Sequence, residues 1–434
     1  MINITSTNGI IEILIPDTAE SAYSTAAEIL QSEFHLRIDC PCDIIQSDSS
    51  SRGNDKTLQI QIETLDTLSE EIQSNIEQPI KLLPYPDYAE HVNLRTLQDN
   101  GIFKFLIICG SQKSLISGVG MLLRYLQFGD NCLHLNPINQ DFKPLNPLRG
   151  GFYSKIKHNQ PNNHDHNEFS ELITNHSLWG NNTYGFNADC LTQIDIKLIK
   201  KHQQSLFVKV DPKTDYSYTE NPDYVYFAPL QTGAESPQIF INSYKIFLES
   251  MKNRTHQSET WLGIDGFNED ELDEIFNELA DSNNLNPKTI VYGPHNGHFE
   301  MIKREMPLTM QLISMNLLSQ KDCFSLNALS QRFFEYAPLT YGAFNYSTFP
   351  FDEIARFMWS LLSWSPQPTV DQILELYGAW FFGFPAAPII KDAILALEQD
   401  KSNTLDLLKK AETLIPERLK NIALPRLNKI RSEL

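Results

Sequence analysis

Residues 259–298 read ETWLGIDGF, then NEDELDEIFNELADSNN, then LNPKTIVYGPHNGH. The first piece holds a short apolar run, residues 261–264, that stops at Asp265-Gly266. A run this short, bounded by turn residues, reads as a buried strand. The second piece opens on Asn268, a residue suited to a helix N-cap, with acids in the first turn where the backbone N–H groups favour negative charge. Leu272, Ile275, Phe276 and Leu279 then recur at helical spacing. The third holds another buried-type strand at 289–292, followed by Gly-Pro-His-Asn-Gly-His with His295 and His298. Strand, helix and strand make a βαβ unit with parallel strands. Such units gather their ligands at the carboxyl ends of the strands.

The pattern repeats on both sides. Strand candidates fall at 151–156, 183–186, 205–210, 224–227, 260–264, 289–292, 309–314 and 340–344, with helical segments at 168–178, 191–203, 238–252 and 269–279. Strands alternating with short helices predict an α/β fold, a (β/α)8 TIM-type barrel over residues 148–347. Residues 1–147 read as a small α/β domain, with strands at 10–15, 36–38, 58–62, 103–109 and 133–135, helices at 19–32 and 114–128, and a Pro/Asn-rich linker from 136 to 147. Gly118 and Gly120 lie inside the second helix without the Lys-Ser/Thr of a phosphate loop, so they read as close packing against a sheet. Residues 348–434 read as a helical C-terminal region, with helices at 351–364, 370–382, 389–397 and 403–415 and an aromatic set (Phe357, Trp359, Trp364, Trp380, Phe381, Phe382) that reads as core.

Composition bounds the partners. The 434 residues are 41% hydrophobic, enough for a large core in two or three domains. A formal net charge of −19 argues against a nucleic-acid backbone or an anionic membrane as partner. The cysteines Cys40, Cys42, Cys109, Cys132, Cys190 and Cys323 are scattered, and Cys40-Pro-Cys42 is too tight for a zinc knuckle. They read as buried thiols of a reducing compartment. The start, MINITSTNGIIEILIP, lacks a basic region followed by an apolar segment, and no apolar run is long enough to span a bilayer. The expectation is a soluble, cytoplasmic protein without a cofactor, with room for a homo-oligomer.

Polar residues follow each strand candidate, and a barrel would set them round one rim. Such a rim suits a sugar-like ligand, and cleaving a bond of that ligand would need two carboxyl groups flanking it, about 5–5.5 Å apart for retention and about 6.5–9.5 Å for inversion. Asp265 is the first candidate, since it ends a strongly apolar strand; its bland reading is a turn residue. Asp211 and Glu235 are candidates to stand opposite. His295 and His298 would orient the substrate, and Arg149 or Lys209 would meet a sugar carboxylate. Tyr153, Asn187, Asn345 and Tyr346 complete the expected binding set; Tyr292 and Trp261 are further stacking candidates, with core packing favoured for Trp261. The cluster His158, His164, Asp165, His166 sits in an Asn-rich stretch and reads as solvated loop, so no metal is expected; a metal-dependent hydrolase using the histidines is the third reading.

Four phrases carry a family resemblance. Residues 103–151, FKFLIICGSQKSLISGVGMLLRYLQFG through PLNPLRGG, resemble the end of the N-terminal domain of α-glucuronidases and β-N-acetylhexosaminidases. EFSELITNHSLWGNNTYGFN at 168–187 is similar to the helix, Trp-Gly-Asn and strand of the same barrels. DYVYFAPLQTGAESPQ at 223–238 resembles their fourth-strand region, and residues 343–383 resemble the helical C-terminal segment of bacterial relatives. The resemblance implies a glycoside hydrolase acting on a small, uronic-acid-containing oligosaccharide. One departure points elsewhere: Pro229-Leu-Gln-Thr-Gly233 has no acid until Glu235. The alternative is a catalytically inactive relative that binds carbohydrate or serves as an assembly subunit.

Overall fold

The computed structural model describes residues 2–5, 9–17, 20–46, 57–70, 72, 90–99, 102–129, 132–153, 164–187, 193–210, 222–228, 236–252, 258–264, 267–281, 289–292, 311–318, 326–337, 340–347, 353–399 and 401–432. The chain begins with β1 (Ile2–Thr5), β2 (Ile10–Ile15), α1 (Ser21–Arg37), β3 (Cys42–Gln46), β4 (Thr57–Thr64), β5 (Val92–Asp99), β6 (Ile102–Cys109), α2 (Leu115–Leu123), β7 (Gln127–Gly129), β8 (Cys132–Leu135) and β9 (Asn139–Pro144). One sheet runs β9-β5-β6-β4-β2-β3, parallel in β6-β4-β2-β3 and antiparallel at β5 and β9; β1, β8 and β7 form a smaller one. Three expectations fail here. The helix expected over 114–128 ends at Leu123, and Gln127–Gly129 pairs antiparallel with β8 as a strand. Residues 36–38 are not a strand: Leu36 lies in the last turn of α1, and the Ile38 N–H donates to Phe34 O at 2.8 Å. The expected linker contains β9, whose sequence NQDFKP turns only Phe142 into the core. Backbone pairing to β5 makes that strand, without the apolar alternation that would announce it.

The middle of the chain gives β10 (Leu148–Tyr153), α3 (His164–Leu178), β11 (Thr183–Asn187), α4 (Gln193–Lys201), β12 (Ser205–Val210), β13 (Tyr224–Phe227), α5 (Pro237–Lys252), β14 (Glu259–Gly263), α6 (Glu269–Asp281), β15 (Thr289–Tyr292), β16 (Gln311–Leu318), α7 (Leu326–Tyr336), β17 (Gly342–Ser347) and α8 (Glu353–Leu362). The eight strands pair in chain order, all parallel, and β17 returns to β10 from Leu148↔Gly342 to Tyr153↔Ser347, so the sheet curls into a closed ring. Among the described residues six helices accompany it, none between β12 and β13 or between β15 and β16. The α6 N-terminus follows its sequence. Asn268 Oδ1 accepts from the Glu271 N–H at 3.1 Å, and the Asn268 N–H donates to Glu271 at 2.8 Å. This reciprocal cap satisfies two orphan donors, an arrangement worth ~1 kcal/mol. Leu272, Ile275, Phe276 and Leu279 are all buried against the barrel.

The glycines of α2 do pack closely. A Cβ on Gly118 would lie 2.7 Å from Ile107 Cγ2 on β6, and one on Gly120 only 1.7 Å from the Leu178 carbonyl oxygen of α3. Gly120 thus lets the N-terminal domain press against the first helix of the barrel.

The chain ends with β18 (Trp364–Ser365), α9 (Val370–Phe382), α10 (Ala387–Glu398), α11 (Thr404–Leu414) and α12 (Lys420–Ser432). β18 pairs antiparallel with β9 and so joins the N-terminal sheet. One apolar core runs from Ile4 to Ile430 and includes Phe34 of α1, Phe357 of α8 and Phe381 of α9. The C-terminal helices therefore share their core with the N-terminal domain. Arg37 donates to Trp380 O at 2.7 Å across that junction. Arg426 of α12 holds α8 and α3 together by ion pairs to Glu353 (2.8 Å) and Glu171 (2.9 Å), with its guanidinium 4.1 Å from the Phe381 ring centroid. No described helix is long and apolar enough to cross a membrane.

Candidate active site

Side chains alternate along a strand, and register carries that alternation round the ring. Phe152, Phe207, Tyr226, Trp261 and Phe344 share the lumen side and form a cluster separate from the one beneath the helices. Their rings interlock: Phe207 lies 5.9 Å from Tyr226, 5.9 Å from Trp261 and 5.5 Å from Phe344, centroid to centroid. Two glycines make the room. A Cβ on Gly185 would sit 2.4 Å from the Phe152 ring, and one on Gly263 would sit 2.5 Å from the Tyr226 ring. The barrel therefore has an aromatic floor midway along its strands. Glycine inside a strand signals such close approach, and Gly185 and Gly263 carry that signal for the aromatic layer in the sequence.

Above the floor, toward the carboxyl ends, stand Asn187 and Lys209, which are partners in the β11–β12 register. The Lys209 ammonium lies 5.6 Å from the centroid of the Tyr226 ring, a cation–π distance. These two residues of the expected set share the lumen face near the mouth. Tyr346 pairs in register with Phe152 and Leu317, and its side chain is outside the described set. Asp211, Glu235, Asp265, His295 and His298 lie outside the described residues, as does His158. Among the described residues no group of three or more His, Cys, Asp or Glu is placed to hold a metal.

Three expected binding residues are elsewhere. Arg149 is near the amino end of β10, at the opposite end from the mouth. It is 1% exposed, ion-paired to Glu90, donates to Gly180 O at 3.1 Å and Asn146 O at 2.6 Å, and lies 4.7 Å from the Trp364 ring centroid. Its guanidinium ties the barrel to both flanking regions and is not placed to meet a sugar. Tyr153 faces the helices, not the lumen. Its hydroxyl is hydrogen-bonded to His176 Nδ1, and its ring packs on Tyr184 and Phe186 with the Arg356 guanidinium 5.3 Å away. Burial, and then the Arg356 charge, hold the His176 imidazole well below the usual histidine range, so it stays neutral. Asn345 also faces outward, fully buried beside Gly151, and among the described residues neither end of its amide has a hydrogen-bond partner. A strand residue one step out of phase changes face, and the polar residues after a strand do not reveal that phase.

No protein-family model matches the sequence, and no curated protein matches it. Solved structures do. A family GH115 4-O-methyl-α-glucuronidase with specificity for decorated arabinogalactans aligns over 99% of this chain and 72% of its own, with a TM-score of 0.62 and 10% identity. A GH138 enzyme targeting pectin rhamnogalacturonan II aligns over 92% and 70%, with a TM-score of 0.54 and 10% identity. A β-N-acetylhexosaminidase from Bacteroides fragilis covers 80% of this chain and 82% of its own at a TM-score of 0.49 and 9% identity, too loose a match to argue from. At such identities the likeness is one of fold. The structural neighbours of this chain are glycoside hydrolases, an α-glucuronidase among them.

Proposed function

We propose that the chain is a glycoside hydrolase with a complete (β/α)8 barrel that cleaves a small, uronic-acid-containing oligosaccharide at the carboxyl-end mouth of the strands. The observation that carries this reading is Lys209, held over Tyr226 beside Asn187 at that mouth. An ammonium facing the lumen suits a sugar carboxylate, and an amide next to it suits a hydroxyl. Asp265 follows lumen-facing Gly263 by two positions, and Asp211 follows Lys209 by two. In this proposal Asp265 is one catalytic carboxylate, Asp211 or Glu235 is its partner, and His295, His298 and Tyr346 orient the substrate. One carboxyl must be raised in pKa by burial or by its partner to donate a proton to the leaving oxygen. Net charge −19 agrees with a carbohydrate partner over nucleic acid, and free, buried Cys40, Cys42 and Cys109 agree with a reducing, cytoplasmic setting. The test is turnover of a panel of aryl glycosides and uronides by wild type, Asp265→Asn and Lys209→Ala. Loss of turnover in Asp265→Asn with retained binding is expected; full activity in that variant removes the assignment.

One observation favours the inactive alternative. Among the described residues, the upper lumen face of the strands carries Asn187 and Lys209 but no carboxylate, and Glu259 lies at the opposite end of β14. Saccharide binding without hydrolysis of any panel member would select that reading.

A further inference from the structure

A cavity lies away from the barrel mouth. It occupies about 550 Å³ where the turn after α2 and the segment before β9 meet α9, α10 and residues 366–368. That size falls within the ~300–1,000 Å³ of small-molecule sites. Arg124 lines it, at the C-terminus of α2. Its Nη2 donates to Trp179 O at 2.9 Å, and among the described residues its buried Nε has no partner and no carboxylate is paired with it. The α2 carbonyls offset only part of a full charge. Burial pulls the guanidinium pKa down to about 10, which still leaves it charged at neutral pH. Glu375 also lines the cavity, but its charge is answered by Lys391 at 2.6 Å. The rim adds two exposed rings, Tyr125 (39%) and Phe384 (45%), and two amides, Gln127 and Asn136, that no other described residue engages.

We propose that this cavity is a second binding site, for a saccharide that bears one anionic group. The guanidinium takes the anion through paired N–H donors, the amides take hydroxyls, and the rings take the apolar face of a pyranose. Arg124 is partly exposed, but its Nε is shut off from water, and no described carboxylate answers its charge; a bound anion would do so. The site stands independently of the proposed activity, because neither Lys209 nor Asp265 belongs to it.

The test is calorimetric titration of the full chain with a glucuronic-acid disaccharide, its neutral glucose counterpart and a sugar phosphate. Wild type, Arg124→Gln, Phe384→Ser and Lys209→Ala are compared. The acidic saccharide is expected to bind at least about tenfold more tightly than the neutral one. Arg124→Gln and Phe384→Ser should each weaken binding about tenfold, and Lys209→Ala should leave a site with unchanged affinity. Phe384→Ser alters a half-exposed side chain, so its result stands if Arg124→Gln fails to fold. Preference for the phosphate over the uronate identifies the anion as phosphate and keeps the site. Equal binding of acidic and neutral sugars, binding lost only in Lys209→Ala, or no binding of any of the three overturns it.

Discussion

Gly120→Ala should cost far more stability than a helix-favouring substitution normally returns. The added Cβ would stand 1.7 Å from the Leu178 carbonyl oxygen, 2.5 Å from its carbon and 2.8 Å from its Cα. An ordinary carbon–oxygen approach is about 3.3 Å or more, so the end of α3 must retreat by about 1.6 Å. That movement drags Leu178 and Trp179, which are both buried, and strains the Arg124 bond to Trp179 O. Overpacking relieved by side-chain shifts costs ~1–3 kcal/mol. The obstruction here is backbone, so about 3 kcal/mol or more is expected. Replacing glycine inside a helix returns ~1 kcal/mol. The net loss is therefore about 2 kcal/mol or more. Gly118→Ala is the internal control, since its Cβ meets the ends of two side chains, Ile107 Cγ2 at 2.7 Å and Cys109 Sγ at 2.8 Å. It should cost less. Urea denaturation followed by tryptophan fluorescence reads both, as a lowered midpoint at unchanged slope. A Gly120→Ala protein as stable as wild type, or less affected than Gly118→Ala, would refute the packing argument.

Arg149→Met should lower stability by ~3–5 kcal/mol, the range for breaking a buried ion pair, while the folded fraction binds saccharide at the mouth as wild type does; thermal melts and calorimetry check the two halves. His202, hydrogen-bonded to Ser177 Oγ at 3.3 Å, is held down to about pH 4 by burial and then by Lys201. Its folded pKa lies below its unfolded one, near 6.5, so stability falls as pH drops from about 6.5 toward 4, by up to about 3 kcal/mol; a His202→Asn protein should show a flatter pH profile across that window. Burial alone would raise the Glu353 carboxyl, but the charge and hydrogen bonds of Arg426, with the Tyr377 hydroxyl, outweigh it and hold it below the ordinary carboxylate value. Glu353→Gln should therefore cost roughly 1.5–3 kcal/mol at neutral pH, and the difference from wild type should vanish as pH falls through the folded pKa of Glu353, read from denaturation midpoints.

The sequence by itself determined the eight strands of the barrel and the helices between β10 and β15, in their order. The caps, the 3.6-residue spacing of α6 and the short apolar runs of β12, β13 and β15 are nearest-neighbour physics, and each element lies where its residues place it. The close packing at Gly118 and Gly120 was legible for the same reason, since two glycines in an apolar helix have no other use without a phosphate-loop lysine. The position of Asn187 and Lys209 at strand ends is legible in the sequence, because loops and strand ends at the surface are polar. What tertiary structure alone decided is which face each residue serves and what lies opposite. Arg149, Tyr153 and Asn345 differ from lumen residues by one step of a two-residue period, and only the closed register shows that step. β9 is a strand because β5 and β18 lie beside it, although its own residues are polar. The Arg124 cavity joins segments more than two hundred residues apart, and no local pattern records a neighbour brought in by the packing of α9 and α10.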